Sequence, residues 1–165
     1  MTEFIRVYFL ESGTGWVVVG AALVAMLGGV GSARGIKISC SQAAGVLSEK
    51  PELFGKLLVI MALPGTQGFY GFICAFMMAA RSGLIAGTVK VGLLEGLALA
   101  VLGLCVGIVE WRSAIYQGET SAASINLVAR RPEQSGRAII LPALVETYAV
   151  LALLVGVLFI TWLVK

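Results

Sequence analysis

The stretch LPALVETYAVLALLVGVLFITWL, residues 141–163, decides the fold. It is long enough to cross a bilayer, which takes about 20 predominantly apolar residues, and its one charged side chain is Glu146. A charge at the centre of a membrane helix costs roughly 2.5–3.5 kcal/mol on insertion scales, so such a residue is a functional candidate by default. The plainer alternative is a protonated Glu that only bonds a neighbouring helix, a task that Gln or Asn would perform at lower cost. The rest of the chain agrees with a membrane setting. Of 165 residues, 59% are hydrophobic and 13% charged, and the mean hydropathy is +0.97. Soluble chains run near roughly 25% charged, so there is too little polar surface here to cover a soluble particle.

Three more apolar runs lie N-terminal to this one, at about 14–33, 57–80 and 91–109, and the last run extends over about 138–164. The expected fold class is therefore an all-α membrane protein with four transmembrane helices. They form two helical hairpins, residues 1–82 and 83–165, the third helix continuing past the membrane to about 127. The first run is too long for the apolar part of a signal peptide, and Glu3 and Glu11 outnumber Arg6 ahead of it, so it is read as a helix. The connections Ser48-Glu49-Lys50-Pro51-Glu52, Arg81-Ser82-Gly83 and Arg130-Arg131-Pro132-Glu133 are short. Positive charges orient the chain. Arg34, Lys37, Lys50, Lys56, Arg112, Arg130, Arg131 and Arg137 flank the first and third connections, whereas Arg6, Arg81, Lys90 and Lys165 lie at the other end. Connections one and three are expected in the cytoplasm and both termini outside.

The two hairpins repeat. Pro51-Glu52-Leu53-Phe54-Gly55-Lys56 matches Pro132-Glu133-Gln134-Ser135-Gly136-Arg137, each position of the second being the first plus 81. Ser32-Ala33-Arg34-Gly35 resembles Ile115-Tyr116-Gln117-Gly118 at an offset two residues larger. Duplications of this kind are frequent in membrane transport folds. The same offset of 81 pairs Thr66 with Thr147 and Gly65 with Glu146, so the two hairpins hold one mid-membrane carboxyl between them. Gln117 lies 15 residues before Pro132 and Glu146 lies 14 after it, which puts both roughly 20 Å above the turn. Gly65, Thr66 and Gln67 reach that height in the first hairpin. Thr66, Gln67, Gln117 and Glu146 thus share a depth and offer a carboxylate, a hydroxyl and two amide oxygens, the donor set of a hard cation. Pro64 removes a helical hydrogen bond and frees the carbonyl one turn earlier, that of Ile60. Gly65 beside it permits close approach of backbone or ligand.

Several classes of function are excluded. There is no His to serve as base or metal ligand and no Asp; Cys40, Cys74 and Cys105 stand singly, with no CxxC. No nucleophile motif or phosphate loop is present, and a net charge of +3 without a basic run argues against nucleic acid. Gly31/Gly35, Gly92/Gly96 and Gly103/Gly107 are spaced for close helix packing.

The segments LPGTQGFYGF, ARRPE and VETYAVL resemble the proteolipid of bacterial and archaeal V-type ATPases (the K subunit), the sodium type in particular, a four-helix relative of the corresponding eukaryotic V-ATPase proteolipid. The likeness runs over nearly the whole chain. It implies a non-catalytic subunit of the plasma membrane that assembles with identical copies into a rotor ring within the lipid bilayer. Such a ring turns against a stator subunit bearing an arginine, and a central-stalk subunit meets its cytoplasmic loops. The resemblance further implies that Na+ is held by the Leu63 carbonyl, Thr66, Gln67, Gln117 and Glu146, with Tyr70 as a lid. It thereby names Leu63 where the proline geometry points to Ile60. Proton transport needs only the carboxyl, so H+ is the alternative ion. A stand-alone four-helix channel or structural protein is the alternative class. Glu110 and Arg112 depart from the family pattern. Glu110 falls on nearly the same helix face as Gln117, about 10 Å outward. It is expected to form an ion pair with Arg112 or Arg34; a role in modulating ion access or affinity is the second reading.

Overall fold

The computed structural model describes residues 2–89 and 91–164; Met1, Lys90 and Lys165 lie outside the described residues. Four long helices make up the molecule: α1, Thr14–Glu49; α2, Pro51–Arg81; α3, Leu93–Arg130; and α4, Pro132–Leu163. All four are long and apolar enough to span a bilayer. The chain is thus a multi-pass, all-helical membrane protein, with no strand among the described residues. Ahead of α1 stands a feature that the sequence did not reveal, a helical turn at Thr2–Ile5 continued by a π-helical turn at Arg6–Glu11. Arg6 Nε meets Glu11 Oε1 at 2.6 Å, and Trp16 Nε1 donates to the Phe9 carbonyl at 3.0 Å.

The helices overrun the spans read from hydropathy. At 36 residues α1 is about 54 Å long, against a hydrocarbon core of about 30 Å. Arg34 and Lys37 consequently sit in the body of α1 and Arg112 in the body of α3, not at connections. That corrects the charge count. The cations at the first and third connections are Lys50, Lys56, Arg130, Arg131 and Arg137, five against four, and the bias is much smaller than eight to four.

Both hairpins turn by the same device. Lys50 (φ −135°, ψ 69°) and Arg131 (φ −137°, ψ 76°) leave the helix just before a proline, each of which opens a 3-10 turn, Pro51–Leu53 and Pro132–Gln134. The proline ring crowds the preceding residue out of helical geometry, so the repeated Pro-Glu yields a repeated bend. The middle connection has no counterpart. It closes through Gly83 and Gly87 at positive φ (77° and 67°), which glycine adopts without side-chain strain, and the Thr88 amide donates to the Gly83 carbonyl at 3.0 Å.

Helices α1 and α3 share the most extensive contact, α2 packs on α1, and α4 packs on α3. The α1–α3 approach depends on glycine. A Cβ on Gly118 would stand 2.5 Å from the Gly35 carbonyl oxygen, and one on Gly20 2.6 Å from that of Leu99. Of the spaced pairs, Gly92 lies outside the helix as its N-cap. The apolar core falls into two clusters. One joins Val17, Val24, Cys74, Met78, Leu99 and Val106; the other joins Ala43, Leu57, Ile60, Ile125, Val128 and Ala138. Between them lies a layer of buried polar side chains, Ser32, Ser39, Gln67, Glu110, Ser113 and Gln117. Helix α4 leaves Leu144, Leu151, Leu158 and Trp162 exposed, as suits a helix that faces lipid or a neighbouring copy.

Candidate ion-binding site

The polar layer is organised around a break in α2. Pro64 has no N–H, and the chain tightens into a 3-10 turn over Leu63–Gly65. The Leu63 carbonyl then accepts the Thr66 amide and lies 3.1 Å from Thr66 Oγ1. The rearranged carbonyl facing the site is therefore that of Leu63 and not of Ile60, to which the simple proline geometry pointed. From α1, Ser39 Oγ donates to the Met61 carbonyl at 2.9 Å and Ser32 Oγ accepts the Gly68 amide at 2.8 Å, pinning the irregular segment from behind.

On this scaffold the side chains singled out in the sequence form one network across three helices. Thr66 Oγ1 lies 3.4 Å from Gln67 Oε1. Gln67 Nε2 donates to Gln117 Oε1 at 2.7 Å, and Gln117 Nε2 reaches Glu146 Oε2 at 3.3 Å and the Pro142 carbonyl at 3.1 Å. Tyr70 Oη donates to the other carboxylate oxygen of Glu146 at 2.6 Å. Gln67 and Gln117 are fully buried, whereas Thr66, Tyr70 and Glu146 are half-buried. The amides thus form the inner wall, and the carboxyl with its tyrosine lies toward the outer faces of α2 and α4. The meeting of Gln117 and Glu146 follows from chain geometry, since two antiparallel helices rising nearly equal distances from one turn must place them at one height.

Two participants escaped the sequence reading. Ser113 Oγ lies 3.5 Å from both Gln67 Nε2 and the Val145 carbonyl, and its position one turn before Gln117 on the same face was the available signal. Pro142, inside α4, supplies the carbonyl that fixes Gln117; a second mid-helix proline near the acid was the clue.

The expected ion pair of Glu110 does not form. Arg112 Nη2 donates instead to Tyr116 Oη at 2.7 Å, with the guanidinium 5.1 Å from that ring centroid, and Arg34 is exposed on α1. Among the described residues the ion pairs are Arg6–Glu11 and Arg131–Glu133. The reason is directional: Glu110 points into the bundle and Arg112, two residues on, about 200° round the helix, points out.

Chemically, the site brings one carboxylate, one hydroxyl, two amide groups and a displaced backbone carbonyl together below a phenol. Among the described residues no cluster of three or more His, Cys, Asp or Glu forms, so a cation here would rest on one carboxylate and neutral oxygens.

Comparison with known proteins places this arrangement. The family model of the ATP synthase C-type subunit matches twice, over residues 19–78 and 100–159, again 81 positions apart. The chain is 34% identical over 150 residues to the K subunit of the V-type sodium ATPase of Enterococcus hirae, covering 91% of this chain and 93% of that one. It is 35% identical over 149 residues to the K subunit of the A-type ATP synthase of Methanocaldococcus jannaschii, covering 89% of this chain and 62% of the other. The C-type subunit of the Clostridium beijerinckii ATP synthase matches at 34% over 65 residues, which is 92% of its length but 37% of this chain, the share expected of a single hairpin. With the family pattern present in both hairpins and the carboxyl kept in one, the chain belongs to the ATP synthase C-type subunit family, in the duplicated form that the K subunits of V-type and A-type ATPases represent.

Proposed function

We propose that this chain is the ion-carrying rotor subunit of a V-type ATPase, binding one Na+ at Glu146 and conveying it across the membrane as a ring of identical copies turns. The observation that carries the reading is the convergence of Thr66, Gln67, Gln117 and Tyr70, from two helices, on the carboxyl of a third. A proton carrier has no use for so many neutral oxygens, whereas Na+ must exchange its hydration shell for them. The sodium ATPase named among the relatives supports the same ion.

In this reading the Leu63 carbonyl, Thr66, Gln67, Gln117 and Glu146 surround the ion. Tyr70 holds the carboxylate by its hydroxyl and covers the entrance. Gln117 turns its nitrogen to Glu146 in the ion-free arrangement; the terminal torsion of glutamine is broad, so the amide can turn its oxygen inward when a cation arrives. Release requires a competing positive charge, which a stator arginine facing α4 supplies. The cytoplasmic hairpin turns at Lys50–Pro51 and Arg131–Pro132 meet the central stalk. ATP hydrolysis belongs to other subunits, and this chain contributes no catalytic group.

The test is carbodiimide labelling of Glu146 in the purified ring, across pH, with and without Na+. The reagent attacks a protonated carboxyl, so a bound ion protects it. Protection by Na+ and not by K+ is expected. Labelling that follows pH alone makes this a proton rotor, and absence of labelling at Glu146 refutes the rotor reading.

A further inference from the structure

Glu110 has no place in the proposed transport cycle, and its surroundings are unusual. It is 0% exposed, and neither carboxylate oxygen has a hydrogen-bond partner. Each neighbouring helix closes it off. One turn before it on α3, Val106 packs near Cys74 and Gly156, and Gly107 meets Leu23 and Leu27 of α1. On α1 the facing residues carry no titratable group. On α2 the titratable groups within reach of its field are Tyr70 and Cys74. On α4 the nearest is Glu146, which Tyr70 already binds. Arg112, on its own helix, is turned outward to Tyr116. A carboxyl enclosed in this manner must be neutralised by something taken from solution. With no second ligand directed at it, the group that fits is a proton.

We propose that Glu110 is a second proton-binding site, two helical turns from the ion site, whose protonation state sets the Na+ affinity at Glu146. The proposal rests on the sodium reading above and adds a regulator to it. Gln117 is seven residues from Glu110, about 10 Å along the helix. At that distance and an effective dielectric constant of about 20, one unit of negative charge strengthens binding of a monovalent cation by roughly tenfold. Ionised Glu110 therefore holds Na+ more firmly, and protonated Glu110 eases its release. The position toward the outer ends of α2 and α4 couples the ring to the pH of the compartment receiving the ion.

The experiment measures the Na+ concentration that half-protects Glu146 from carbodiimide, from about pH 5 to about pH 10, in wild-type and Glu110→Gln rings. At the alkaline end the variant should need roughly tenfold more Na+, and at the acid end the two curves should meet, because both side chains are then neutral. Superimposed curves overturn the proposal. A second measurement covers failure of the variant to assemble. Infrared spectra of Glu146→Gln rings should show a carboxylic C=O band from apolar surroundings that converts to carboxylate as pH rises, and a spectrum lacking it overturns the proton site. If wild-type rings show no Na+ protection at all, the sodium reading and the tuning both fall, while the infrared band separately decides whether Glu110 binds a proton.

Discussion

Replacing Tyr70 by Phe tests the site at its most exposed bond. The hydroxyl donates to Glu146 at 2.6 Å, within the about 2.5–2.7 Å range of O–H bonds to an ionised acceptor. Hydrogen bonds to charged groups contribute about 1.5–3 kcal/mol. Both partners are half-buried, so the lower end applies, and about 1.5 kcal/mol corresponds to roughly a tenfold change in affinity. The Phe ring keeps the volume of Tyr, so no cavity is added to the loss. The hydroxyl stabilises the ionised carboxyl over the protonated one, and its removal lets protons compete better against Na+. The assay is the Na+ concentration for half-protection of Glu146 in purified rings at one fixed pH, and the expected result is a rise of roughly tenfold with unchanged ring size. A variant within twofold of wild type would refute the idea that this bond holds the carboxylate for the ion.

Gln117→Leu removes the donor to Glu146 and to the Pro142 carbonyl and strands the buried Gln67 amide, a loss of about 1–3 kcal/mol. It should raise the half-protecting Na+ concentration at least tenfold and lower the thermal stability of the ring; unchanged affinity would remove Gln117 from the site. Gly118→Ala places a Cβ 2.5 Å from the Gly35 carbonyl oxygen and forces α1 and α3 apart, costing about 1–3 kcal/mol as overpacking does. Heat-induced dissociation of the ring should come at lower temperature than in wild type. Gly45→Ala, where a Cβ meets nothing within 4 Å, should not lower it, and equal behaviour of the two would refute close packing as the cause.

Much of the fold is legible in the chain because a bilayer imposes a simple rule: every spanning segment must satisfy its backbone internally, so long apolar runs are helices. The two turns are legible for a similar reason, since Lys50-Pro51 and Arg131-Pro132 break a helix by sterics that act locally. The depth of the candidate site followed from arithmetic, because helices rising from a shared turn keep a constant rise per residue. Lengths were less legible. Hydropathy sees only the apolar part of a helix, and α1 continues through Arg34, Lys37 and Ser39 as far as Glu49, because nothing in that polar stretch breaks it.

The sequence by itself determined the membrane setting, the four helices, the duplication and the single carboxyl with polar partners at its height, since each depends on composition, period or separation along the chain. Direction needed the tertiary structure. Which carbonyl the proline displaces, which nitrogen faces Glu146, and the roles of Ser113 and Pro142 depend on how three helices rotate against one another, a matter of side-chain packing that no periodicity specifies. Glu110 shows the difference most clearly. In the chain it stands two residues from an arginine and reads as half of an ion pair. In the folded bundle the helical turn of about 100° per residue carries the two to opposite faces, and the carboxyl is left alone in the core.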